Sequence, residues 1–211
     1  MMYPPAHHVE TDMEKSYRVI EEFKFATIVN RTEDDVVVTQ LPLILDRHRG
    51  KKGVLTGHLD RSNPHASYLT EGRIFAVFHG PDAYISPNVY SSSQLPTWNS
   101  ISVHVRGKVR LVESPDAIRD SLIKMTEILE DRELPFVLDY KDPRMTSWLH
   151  LILGFEIEIE EIVGRFKLSQ DKTEKDMLLA RDHLVEQNYQ NHDDLLSALL
   201  NTSNKSRKAD A

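Results

Sequence analysis

Between Phe25 and Val112 the chain is built of short β-rich runs separated by turn residues, and no other feature limits its possible folds as much. The runs cover residues 26–30, 36–45, 54–58, 73–79, 84–85 and 101–112. Regular spacing of this kind predicts a barrel or sandwich of antiparallel neighbours. Thr32-Glu33-Asp34-Asp35 is a polar connector suited to a hairpin, and residues 46–53 form a charged loop with two glycines. Asn63-Pro64 places a cap residue before a proline, which predicts a short crossover helix to Leu69.

Helical signals flank this β-rich block. Thr11-Asp12-Met13-Glu14 reads as a capping box, with Thr11 as the cap and Met13, Tyr17 and Ile20 on one apolar face. Ser114-Pro115-Asp116 opens a second helix, along which Ile118, Leu122, Met125 and Leu129 recur at helical spacing. Residues 145–153 read as a short helix. Phe155, Ile157 and Ile159 then alternate with glutamates as a half-solvated strand would, with a bulge at Glu160-Glu161 returning Ile162 inward. Residues 174–187 form a further helix, and Asp193-Asp194 opens a last one carrying Leu195, Leu196, Leu199 and Leu200, a stripe that needs a partner. The expected division is a domain over 1–170, a helical extension over 171–202 and a disordered tail over 203–211.

Composition narrows the chemistry. The 211 residues contain no cysteine, which removes thiol catalysis, thiolate zinc sites, iron–sulfur clusters and a disulfide scaffold. A formal net charge of −7 argues against a large nonspecific nucleic-acid footprint. The cluster Arg47, Arg49, Lys51 and Lys52 keeps local DNA contact open, though a solvated loop is its usual meaning. No export signal or membrane-spanning run is present, so a cytoplasmic protein is expected. Phosphate-binding loops, GxGxxG turns, hydrolase elbows and HExxH helices are absent from the sequence.

The densest run of unusual residues is 79–90, followed by Leu95-Pro96-Thr97-Trp98-Asn99. Its glycine, prolines and aromatics describe a shaped surface loop suited to a planar ligand. Tyr84, Tyr90 and Trp98 are equally compatible with the rim of a core.

These residues carry a resemblance. Gly57-His58-Leu59 with Asn63-Pro64, the stretch from Phe78 through Gly80-Pro81 and Ala83-Tyr84-Ile85-Ser86-Pro87 to Tyr90, Pro96-Thr97-Trp98-Asn99, Val103-His104-Val105 with Gly107, and Lys167-Leu168-Ser169-Gln170 resemble the PaiB family of FMN-binding split-barrel proteins. The resemblance implies an α+β split β-barrel, a homodimer with flavin at the subunit interface, and a role as a negative transcriptional regulator. By that analogy Thr39, Gln40, Leu41 and Pro42 lie along the ring edge. Gly57 and His58 open the turn toward Arg61 and Asn63, which reach the phosphate. Phe78 and Trp98 supply apolar surface, with His79, Tyr84, Thr97 and Asn99 in the same motifs. Lys167, Ser169 and Gln170 would close the site from the partner subunit. Asp82, Val89, Ser100 and Asp171 stand where the family commonly has His, Trp, an aromatic and Asn, which leaves less aromatic face for a flavin ring.

Three alternatives follow. His58, His79 and His104 could line one pocket and ligate haem iron. A bound, reducible flavin would make the chain an oxidoreductase using a nicotinamide donor, although the sequence offers no positioned acid–base pair. A ligand-free interaction protein is the third. Ile101, Val103 and Val105 alternate with Ser102, His104 and Arg106, so one strand face is expected in the core and the other against a second subunit.

Overall fold

The computed structural model describes residues 5–69, 72–130 and 133–188. Its strands are β1 (Val9–Glu10), β2 (Phe25–Arg31), β3 (Val36–Pro42), β4 (Ile44–Asp46), β5 (Val54–Asp60), β6 (Arg73–Ile85), β7 (Thr97–Val112) and β8 (Ile152–Lys167). The helices are α1 (Met13–Glu22), α2 (Pro115–Leu129), α3 (Pro143–Leu149) and α4 (Glu174–Asn188), with short 3₁₀ turns at Ala6–His8, Pro64–Tyr68 and Pro87–Val89. The leucine stripe at 195–200 and the tail lie outside the described residues.

The strands form one antiparallel sheet in the order β3-β2-β6-β7-β8-β5-β4, with β1 added on β8. Strands β3 and β4 occupy opposite edges, yet only Leu43 separates them in the chain. The sheet must therefore curl until its edges meet, and β3 and β5 come into contact as it does. This is an α+β split barrel. Its core holds Ile28, Leu43, Leu55, Phe78, Val103, Val105, Phe155 and Ile157, plugged by Ile20 of α1. Helix α2 lies against β5, where Ser121 Oγ sits 2.6 Å from His58 Nε2. Helix α4 packs on the far end of β6 through Ala83, Ile85, Ala180 and Leu184.

Several expectations are corrected. Asp12, not Thr11, caps α1: its carboxylate accepts from the Glu14 amide at 2.9 Å. Runs 73–79 and 84–85 are one strand, because a bulge between His79 and Asp82 absorbs Gly80-Pro81 without ending the pairing to β7. The 36–45 run breaks at Leu43, whose amide donates to the Lys24 carbonyl at 2.8 Å. The helix expected over 145–153 stops at Leu149, because Ile152 already pairs with Asp60 of β5. The β8 bulge falls where expected: Arg106 pairs with Glu161 and Gly107 with Ile159, leaving Glu160 as the extra residue.

Candidate functional site

Side chains along a strand alternate between faces, so the register fixes which residues share the outside of the barrel. One row runs Gln40, Thr27, Val77, His104 and Val163 across β3, β2, β6, β7 and β8. Beside it run Val38, Val29, Phe75, Arg106 and Glu161 on one flank and His79, Ser102 and Arg165 on the other. Ser100 and Lys167 continue that second flank. Helix α1 packs on the inner side, α2 over β5 and α4 over the end of β6, so no described helix lies over these rows. The face is part apolar and part cationic.

Its electrostatics centre on His104. Burial, together with the positive charges of Arg165 and Arg106 and the neighbouring His79 ring, lowers its pKa to about 4. The ring meets Phe75 edge-on with centroids 5.2 Å apart, and Arg106 stacks over the same Phe75 while pairing with Glu161 at 2.5 Å. His104 is thus a neutral imidazole at pH 7.

The upper end of the face opens into a cleft of about 300 Å³ whose lining includes His8, Thr97, Lys167 and Lys172. The Lys167 ammonium donates to Thr97 Oγ1 at 2.6 Å, which uses one of its three N–H groups. Below it the 167–170 turn is tightly held. Ser169 adopts φ 60°, a conformation costly for a non-glycine residue, and its hydroxyl lies 2.9 Å from Tyr90 OH and donates to Asn99 Oδ1 at 3.2 Å. Gln170 accepts from the Leu168 amide at 2.6 Å and donates to the Phe166 carbonyl.

Apart from His58, the residues singled out from the sequence are divided among four places. Gln40, Pro42, His79 and Lys167 belong to the open face, with Thr97, Tyr84 and Trp98 at its upper rim. Tyr84 and Trp98 are about half exposed, and Trp98 Nε1 donates to Asp82 at 2.8 Å. Leu41, Gly57 and Phe78 are core: a Cβ on Gly57 would lie 2.6 Å from Leu43 and 2.9 Å from Phe155. Asn99, Ser169 and Gln170 hold the turn. Thr39, Asn63 and Arg61 gather at the Pro64–Tyr68 turn, where Asn63 caps and Thr39 Oγ1 accepts from Asn63 at 3.3 Å. Buried His65 bridges Thr39 and Asn30 there at 2.9 Å each, a satisfied core histidine.

The three-histidine pocket does not form. His58 pairs across β8 with the register of Val112, and from there to His104 is roughly 26 Å of strand at about 3.3 Å per residue. His58 instead faces Ser121 under α2, where burial lowers its pKa to about 4. The residues the sequence reading missed are Thr27, Val77, Val163 and Arg165. Their signal is strand alternation along β2, β6 and the far end of β8.

Comparison with known proteins agrees with this architecture. The family model described as "Putative FMN-binding domain" matches residues 2–161. The chain is 31% identical over 179 residues to protease synthase and sporulation protein PAI 2 of Bacillus subtilis (strain 168), spanning 84% of this chain and 86% of that relative. Among solved structures, the FAD and haem binding protein from Mycobacterium smegmatis superposes with a TM-score of 0.59 at 15% identity, covering 81% of this chain and 79% of that one. The flavocytochrome Anf3 from Azotobacter vinelandii gives a TM-score of 0.59 at 13% identity, covering 78% and 72%. At such identities these two likenesses speak to the fold. On the matched family model, and on the relative aligned over most of both chains, this protein belongs to the FMN-binding domain family that its motifs resemble, the PaiB family.

Proposed function

We propose that this chain binds FMN on the open face of β2, β6, β7 and β8, that a second copy closes the face, and that its role is regulatory. The observation that carries this reading is a cationic flank, Lys167 and Arg165, beside an apolar row, Val77 and Val163, on one uncovered sheet surface. FMN asks for that combination. Its phosphate needs charged donors, its ring needs apolar contact, and its pyrimidine edge needs an amide such as Gln40. Lys167 keeps two N–H groups for an anion, since Thr97 takes one. When bound, FMN supplies electron or hydride transfer; the chain's own residues hold, orient and shield it.

The regulatory role is supported by the family label and by the name of the Bacillus relative, which refers to protease synthesis and sporulation. Three of the four cations named in the 46–53 loop are engaged within the chain, with Lys51 the exception, which favours action through ligand and partner over direct DNA contact. Arg47 pairs with Glu14 and Glu21, Arg49 with Glu156, and Lys52 donates to the Glu160 carbonyl. Titrating the protein with FMN and following flavin fluorescence tests the site. The expected result is saturation at one FMN per chain, with binding weakened tenfold or more in Lys167→Ala; unchanged binding in that variant removes the assignment.

A second reading has one observation in its favour. His104 offers a neutral imidazole at the centre of the face, the form that ligates haem iron. Incubation with haemin distinguishes the two: a Soret band lost in His104→Ala transfers the site to haem.

A further inference from the structure

The segment between β7 and β8 carries a group of exposed large hydrophobic side chains, Leu134, Phe136, Val137 and Trp148 among them. Helices α2 and α3 are clamped together by Arg119, which donates to the Tyr140 carbonyl at 2.7 Å and to Thr146 at 3.3 Å. Between them Leu122, Phe136, Leu138, Met145, Trp148 and Ile152 line an open groove of about 370 Å³. Trp148 is 63% exposed, and Leu134 in the same segment 91%. A tryptophan and several aliphatic side chains so displayed mark a surface built to be covered.

We propose that the occupant is the C-terminal segment of a second copy of this chain, seated through Leu195, Leu196, Leu199 and Leu200. The pattern fits a helix-in-groove contact, because these leucines recur at positions i, i+1, i+4 and i+5 and so share one helical face. Charge order fits as well. The segment that frames the groove, from the end of α2 to the start of α3, carries Glu127, Glu130, Glu133 and Asp139, with Asp142 and Arg144 paired to each other in the lining, and the stripe is followed by Lys205, Arg207 and Lys208.

Reach decides between the chain's own groove and its partner's. Asn188, the last residue of α4, donates to the Asp82 carbonyl at 3.2 Å, and Asp82 pairs through Ser100 to Lys167 at the end of β8. The groove lies at the other end of β8, by Ile152. Those ends are separated by roughly 50 Å of strand path at about 3.3 Å per residue. Even fully extended, the chain from Asn188 to Leu195 spans no more than about 25 Å. Curvature shortens the strand path, but the available chain is half of it. Exchange between two copies satisfies the stripe and the groove together. The inference is independent of any cofactor.

The absence of cysteine makes the test clean. Leu199→Cys and Trp148→Cys variants of the full chain, one of them tagged, are mixed, allowed to exchange subunits and oxidised. A disulfide joining the two different chains is expected, at twice the 24.3 kDa chain mass. A chain carrying both substitutions, oxidised at high dilution, should give far less internal disulfide than the mixture gives intermolecular product. Disulfide confined to the single doubly substituted chain overturns the proposal, and so does its absence in both arrangements. As a second readout, Leu196→Asp in a Trp98→Phe background should shift Trp148 fluorescence toward that of solvent-exposed indole. No shift overturns burial of Trp148 by the stripe.

Discussion

His104 occupies the centre of the open face without the charge that a surface histidine would gain in mild acid. Its pKa is lowered to about 4 by burial and by nearby cations, and that of His58 falls to about 4 by burial under α2. The unfolded chain takes up these protons near pH 6.5, whereas the folded chain resists until about pH 4. Between those values the unfolded state binds more protons, so stability must fall as pH drops from 6.5 toward 4. Urea midpoints measured from pH 7 to pH 4.5 should decline, and His58→Gln should flatten the slope. An NMR titration midpoint near 6.5 for both rings would contradict this. Gly107 makes a different residue-scale claim, since a Cβ there collides with the Glu158 carbonyl opposite the bulge. Gly107→Ala should cost about 1–3 kcal/mol in a denaturant titration.

At the scale of elements, α4 is held to the loop after Tyr90 by one buried carboxylate. Asp176 accepts from the Ser91 amide at 2.6 Å, the Ser91 hydroxyl at 2.8 Å and the Ser92 hydroxyl, and these bonds lower its pKa to about 2. Its contribution is present above its ordinary pKa of 3.8 and is lost as pH falls toward 2, a window distinct from that of the histidines. Asp176→Ala should lower the thermal midpoint and make residues 91–96 a preferred site of limited proteolysis; an unchanged cleavage pattern would separate the loop from α4. This contact also marks how far the sequence could be read. Helix α2 and the β8 bulge were legible because their signals are local: a Ser-Pro-Asp cap, and a glutamate breaking strict alternation. The Asp176 pin joins residues far apart in sequence, and charge alone gave no sign that this aspartate would be buried. Phe78 and Gly57 lie away from the open face for a related reason. A motif names residue types without saying which strand face each takes, and register places both in the core.

On the scale of the whole molecule, one chain leaves two surfaces open: the sheet face around Val77 and His104, and the groove around Trp148. Val77→Glu puts an unpaired charge in the middle of the first. It should convert the proposed dimer to a monomer in light scattering and abolish FMN retention together, while leaving the fold intact by circular dichroism. Loss of one property without the other would separate the ligand site from the dimer interface. Family membership and fold were within reach of the sequence, through motifs spread over the chain and β-runs of regular spacing. The site was legible only in part, because it is assembled from alternate residues of neighbouring strands. The most direct measurement is sedimentation velocity of the full chain incubated with FMN, recorded at the protein band and at the flavin's visible band. Flavin absorbance should move with a species of twice the 24.3 kDa chain mass, at one FMN per chain. Flavin that stays behind a folded protein would contradict it.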